Sequence, residues 1–192
     1  MTERLTIPGL FVTLKPIARH EIEMVRGWRN SPEVARYHAA RDPISAAQQR
    51  AWFEQVSGSE RWFVTVIFDR RTDRPIGVAH LKDIDRTHRR AECGLYIGET
   101  ELRDNVFASE AFFLILEYAF AELELHKVYG HYLATNTRAA RLNAGFWFEV
   151  EGRYRDELFL DGEWVDYVRV AVFRDPLLES PGARFFLRRR QR

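Results

Sequence analysis

The 192-residue sequence predicts a mixed α/β domain built on one mostly antiparallel sheet. Three observations predict it. Short runs rich in β-branched and aromatic residues recur along the chain, as half-buried strands require. Several of them are joined by tight turns, as in hairpins. In the middle, a strand, a polar loop and a long apolar helix lead into another strand, embedding a strand–helix–strand unit in the sheet. The predicted order is β-α-α-β-β-β-α-β-α-β-β.

Each element has a local reason. "LFVTLK" (Leu10 to Lys15) alternates as a short strand would, and Pro16 ends it. "HEIEMVRGWRN" sets Ile22, Val25 and Trp28 at helical spacing before the stop at Ser31-Pro32. Ser45 with Gln48 three residues later is a capping box for a second helix, with Trp52, Phe53 and Val56 on its apolar face. "RWFVTVIF" and "IGVAHLKDI" flank the polar turn "DRRTDRP" and read as a hairpin. "AECGLYIG" (Ala91 to Gly98) is the next strand, where Gly94 signals a bulge or a close backbone approach. The buried helix follows, then "KVYGHYLAT" as a strand and "TRAARLNAGF" as a short helix with Asn136 at its N-cap. "FEVEGRYRDELF" and "VDYVRVAVF" close the domain as a hairpin around Asp161-Gly162.

A domain over residues 1–175 and a basic tail over 176–192 are expected. The tail "ARFFLRRRQR" holds five arginines in ten residues and reads as a solvated, frayed terminus, with contact to an acidic partner as the alternative. The net charge of +1 gives no global field for nucleic acid. Cys93 is the single cysteine, so no intramolecular disulfide can form, and a cytoplasmic setting is expected. "MTERLTIPGLF" carries no signal-peptide pattern. Glu117, Glu122 and Glu124 interrupt the longest apolar stretch, which excludes it as a membrane span. The six histidines show no zinc spacing, so no metal is expected.

The polar stretch Arg103-Asp104-Asn105 stands directly before "VFASEAFFLILEYAF". It is either an ordinary loop and cap, or a cradle in which loop and helix N–H groups, backed by the helix dipole, hold phosphates. The order of elements around this stretch resembles the GNAT superfamily of acyl-CoA N-acyltransferases, and the resemblance covers roughly Leu10 to Phe173. In that family a [QR]-x-x-G-x-[GA] loop wraps the pyrophosphate of acetyl-CoA. The matching residues are Arg103 to Ala108, followed by "SEA". Arg103 and Ala108 fit the pattern, while Val106 stands where the family has glycine. "LHKV" running into Asn136, and "EGRYR" before Asp161-Gly162, resemble further family segments. "WRNSPEV" and "SAAQQRAWF" resemble the branch acting on ribosomal-protein N-termini, polyamines and 4-amino nucleotide sugars.

The resemblance implies acetyl-CoA as co-substrate, held by Leu95, Tyr96, Ile97, Arg103, Asn105, Val106, Phe107, Ala108, Ser109 and Asn136. A main-chain N–H at Leu95 or Tyr96 would polarise the thioester carbonyl. An amine near the lysine reference of ~10.4 is protonated at neutral pH, so a group must take its proton. Glu92 is the first candidate, with a salt-bridged strand residue as the alternative. His80 is the second, with a packed strand residue as the alternative. Asn143 falls where relatives carry the tyrosine that protonates the leaving thiolate, and Trp147 where they carry glycine. Asparagine cannot donate a proton in that sense. Trp28, Arg29 and Asn30 are either acceptor-lining or, for Trp28, core. The expected activity is direct N-acetylation of a primary amine, a small molecule or a peptide N-terminus. A 4-amino nucleotide sugar is favoured, and a protein N-terminus, a polyamine, or acetyl-CoA binding without turnover are alternatives. A homodimer is compatible with this reading.

Overall fold

The computed structural model describes residues 5–102 and 106–190, without the side chain of residue 190. The chain runs β1 (Ile7–Pro8), β2 (Val12–Pro16), α1 (Ile22–Asn30), α2 (Pro32–Ala35) and α3 (Ala46–Val56). It continues through β3 (Phe63–Asp69), β4 (Arg74–Asp85), β5 (Arg90–Ile97), α4 (Val106–Ala121), β6 (Lys127–Leu133) and α5 (Thr137–Gly145). β7 (Glu149–Leu160), β8 (Glu163–Phe173), α6 (Arg174–Glu179) and α7 (Pro181–Arg190) complete it. One eight-stranded sheet, ordered β1-β2-β3-β4-β5-β6-β8-β7, holds the molecule together. Its pairings are antiparallel except for β5 with β6.

The expected order is present, with the additions β1, α2, α6 and α7. The Ser45–Gln48 capping box forms in both directions. Asp161 and Gly162 both have positive φ, as a two-residue hairpin turn of matching twist demands. Gly94 stays in register opposite His80, and the irregularity in this strand pair lies between Lys82 and Asp85. The glycine therefore serves a close approach and not a bulge: a Cβ there would lie 2.7 Å from His80 Cε1.

Strand alternation sends side chains to two cores. On one face Ala79, Leu81, Ala91, Cys93 and Ile97 pack against α4. On the other, Val64, Val66 and Val78 meet Ile22, Val25 and Trp28 of α1 and Phe53 and Val56 of α3. Helix α4 is apolar nearly all round, so a sheet on one side alone would leave apolar surface in water. The chain's end covers it. Phe186 of α7 stacks on Phe113 with ring centroids 5.5 Å apart, and both rings are fully buried. The expected frayed tail is thus two packed helices, and the boundary at residue 175 falls within α6. Leu177, Ala183 and Phe186 face inward, while Arg184, Arg188 and Arg189 are exposed.

Glu110, from the "SEA" segment, is 1% exposed and anchors the N-terminal chain. Its carboxylate accepts the N–H groups of Leu10, Phe11 and Val12 at 2.6, 2.6 and 2.7 Å. Among the described residues, no helix is long and apolar enough to cross a membrane.

Candidate active site

β5 and β6 pair through only three positions, Arg90↔Lys127, Ala91↔Val128 and Glu92↔Tyr129. Beyond them β5 stays with β4 as far as Ile97, while β6 follows β8 to Leu133. The strands part, and a cavity of about 570 Å³ opens between them. Gly98 donates its N–H to the Ile76 carbonyl at 2.8 Å, which sets the alternation of peptide directions along β5. By that alternation the peptide groups of Gly94 and Tyr96 address β4, and that of Leu95 addresses the gap. Of the two expected carbonyl-polarising N–H groups, Leu95 is the one so placed. Ile97 also lines the cavity.

Glu92 lies where the strands part. Its Oε1 is 3.0 Å from Lys82 Nζ and 3.5 Å from His131 Nδ1. Burial works to raise its pKa, but hydrogen bonding and charge from His131 and Lys82 outweigh it and hold the carboxyl below the usual range. Glu92 is therefore salt-bridged, as the alternative reading expected, and it also lines the cavity. His131 stacks on Tyr167, with centroids 5.2 Å apart and planes at 12°, and meets Tyr129 edge-on.

His80 lines the same cavity, yet burial, together with Lys82 and Arg29, lowers its pKa to about 4 against the opposing pull of Glu92. An imidazole that surrenders its proton so readily is a weak base at neutral pH. His38, edge-on to Tyr96 at 5.7 Å, is lowered further, to about 3, by burial and by Arg29 and His80. Burial likewise pushes the Tyr96 hydroxyl and the Cys93 thiol up, so both stay protonated.

The opposite wall comes from α4 and α5. Ala108 and Ser109 line the cavity, so the first turn of α4 faces it. Val106 and Phe107 do not line it. They begin α4 and pack on the core, so the helix starts earlier than the sequence pattern suggested. Val106 opens α4 as a helical residue, and helical backbone does not call for the glycine of the family pattern. Arg103 and Asn105 lie outside the described residues. Asn136 lines the cavity and also caps α5, its Oδ1 accepting the Ala139 N–H at 3.0 Å. Asn143 lines it too, but its Nδ2 donates back to the Ala139 carbonyl at 2.7 Å. A side chain spent on its own helix, and without an acidic proton, is no substitute for a general acid.

None of the three expected acceptor-side residues lines the cavity. Trp28 is core, 9% exposed, with Nε1 donating to Glu99 Oε1 at 3.0 Å. Asn30 clips the Ile44 peptide to α1 through both amide atoms, at 2.9 and 2.8 Å. Arg29 is partly buried near Tyr96, and its Nη1 is buried without a hydrogen-bond partner among the described residues. Further along the chain, Glu33, Tyr37 and His38 line the cavity instead. These and His131 are the residues that sequence reasoning missed. The motif "WRN" drew attention three residues too early, and His131 was hidden because nothing local shows which strand β6 pairs with. No group of three or more potential metal ligands occurs among the described residues.

A sheet parted at its single parallel pairing, with a helix start on one wall, defines an acyl-CoA-type transferase site. Residues 12–145 match the Acetyltransferase (GNAT) domain family, and the chain belongs to that family as an acetyl-CoA-dependent N-acetyltransferase. It is 28% identical to spermidine N(1)-acetyltransferase of Escherichia coli K12 over 179 residues, covering 89% of this chain and 92% of that one. Similarity to the ribosomal protein uS5-alanine N-acetyltransferase of the same organism is 29% over 107 residues, 55% of each chain. The structure of spermidine N-acetyltransferase from Vibrio cholerae with CoA and spermine shares the fold, with a TM-score of 0.82 and 24% identity over 88% of this chain and 98% of that one.

Proposed function

We propose that this N-acetyltransferase acts on a primary amine of a polyamine-like, polycationic small molecule. The carrying observation is the pair of carboxylates on the cavity, Glu92 at the parting of the strands and Glu33 at the rim. Glu92 is already engaged by Lys82 and His131. Glu33 is exposed and has no ion-pair partner among the described residues, so it is the carboxylate left to meet a second ammonium group. The similarity to spermidine acetyltransferases across most of the chain supports the same acceptor class. The nucleotide-sugar acceptor favoured by the sequence motifs gives way to this reading, because the named relatives acetylate polyamines or a ribosomal protein.

In this arrangement the α4–α5 wall, with Ala108, Ser109 and Asn136, holds acetyl-CoA, which supplies an activated acetyl thioester. The Leu95 N–H meets the thioester carbonyl oxygen and stabilises negative charge as it develops there. Tyr37, His38 and Tyr96 exclude water and orient the amine, and the Glu92 region receives its proton. With Asn143 in place of a general acid, the thiolate departs unassisted; a simple thiol's reference pKa of ~8.5 makes that tolerable, at a cost of roughly 10²–10⁴ in rate.

The test is CoA-thiol release from acetyl-CoA with spermidine, spermine, an N-terminal alanine peptide and a 4-amino nucleotide sugar. Turnover highest with the polyamines is expected, and Glu33→Gln should raise their KM. Turnover with the peptide or the sugar nucleotide but not the polyamines overturns the acceptor assignment.

A further inference from the structure

We propose that His131 is the group that takes the proton from the acceptor ammonium, with Glu92 acting as a positioning residue behind it. The proposal rests on the N-acetyltransferase reading and adds a catalytic residue to it. His131 and Glu92 line the cavity together where β5 and β6 separate. The parallel register places Glu92 beside Tyr129, so His131, two residues further along β6, extends from the same face toward the widening gap. Its Nδ1 is the nitrogen turned toward Glu92, at 3.5 Å. Catalytic hydrogen bonds are often this long before substrate binds. A carboxylate at Nδ1 favours the tautomer with its proton on that nitrogen, which leaves the Nε2 lone pair, on the far side of the ring, as the acceptor.

Three other titratable groups of the cavity are poorly suited. Glu92 is held ionised by two cationic partners, while His80 and His38 are held neutral by burial. Three aromatic rings and one carboxylate surround His131. Tyr167 of β8 offers its ring face, Tyr129 of β6 and Tyr154 of β7 flank the ring, and Glu92 of β5 supplies the countercharge. Of the cations around it among the described residues, two are held in contacts of their own. Lys82 of β4 pairs with Glu92, while Arg169, opposite His131 on β8, pairs with Glu151 at 3.2 Å and lies over Tyr129.

The step balances. The ammonium gives one proton to His131 Nε2 and becomes a neutral amine. The amine nitrogen bonds to the acetyl carbon as the carbon–sulfur bond breaks, and the second nitrogen proton leaves with the thiolate as free thiol. His131 returns its proton to solvent.

His131→Gln and His131→Phe test the role, the second keeping a flat ring against Tyr167. With acetyl-CoA and spermidine at pH 7, kcat should fall about 10²-fold or more in both. The thermal shift with acetyl-CoA should match the parent's, which also shows that the variants fold. Raising the pH toward 9.5 should narrow the gap to the parent, because free amine then forms in solution. In the parent without ligand, nitrogen-15 NMR of neutral His131 should place its proton on Nδ1. Variant rates within threefold of the parent, a deficit that does not change with pH, or a proton on Nε2 overturns the proposal. A parent chain that releases no thiol with any amine overturns the acetyltransfer reading itself.

Discussion

Phe148 donates its main-chain N–H to the carbonyl of Asn143 at 3.0 Å, closing the C-terminus of α5. Trp147 donates to Ala144 within the same turn and has φ of +56°. This is the paired 6→1 and 5→2 bonding of a Schellman cap, in which the left-handed position normally holds glycine. Trp147 occupies it, where the family pattern, aligned without a gap, places glycine. The gapless alignment and the backbone agree, and a Cβ-bearing residue carries the strain.

Trp147→Gly should therefore stabilise the protein. A left-handed non-glycine residue costs roughly 1–2 kcal/mol, and the indole is 46% exposed, so little packing is lost. The expected gain is about 1 kcal/mol, a rise in Tm of roughly 2–4 °C. A melting curve at or below the parent's would show that the indole's contacts outweigh the strain.

Gly94→Ala should disturb the site while leaving the sheet paired. The added methyl would fall 2.7 Å from His80 Cε1 and 2.8 Å from Nε2, so the imidazole must move. A stability loss of about 1–3 kcal/mol is expected, as for other overpacked positions. The amine's KM should rise more than that of acetyl-CoA, because His80 sits on the wall opposite α4. Unchanged kinetics for both substrates would mean that the cavity absorbs the shift.

Acid should weaken the fold before carboxylates titrate. Burial lowers His80 to about 4 and His38 to about 3, against an ordinary value of 6.5. Between 6.5 and about 4 the unfolded chain therefore binds protons that the folded one does not, and stability rises with pH across that window. The contribution is complete above about 6.5 and lost progressively below it. For His80 alone the change from pH 6.5 to 4.5 is on the order of 2–3 kcal/mol. His80→Gln should flatten the dependence of Tm on pH there; a slope equal to the parent's would assign the acid sensitivity elsewhere.

Much of the architecture was legible because its causes are local. The capping box at Ser45, the Asp161-Gly162 turn and the β-branched alternation of Phe63–Asp69 depend on residues within a few positions of each other. Glu92, Leu95 and Asn136, named from the family pattern, and His80, named for its imidazole, all line the cavity. The errors share a different cause. "ARFFLRRRQR" reads as a solvated tail until Phe186 finds Phe113, 73 positions away in sequence, and the burial of that pair is what makes a helix of it.

Neighbouring residues alone are enough for the mixed sheet and for the elements from Val12 to Phe173 other than α2, since periodicity and turn chemistry are local, and the order of motifs carries the family resemblance that implies acetyl-CoA. Tertiary structure decided which side chains share the cavity. Trp28 turns into the core because Gly98 leaves room for its ring, and Asn30 is consumed by Ile44. His131 reaches Glu92 only because β5 and β6 run parallel for three pairs and then diverge. Register between strands far apart in sequence is set by which faces can be buried together, and that is decided only when the whole sheet closes on α4.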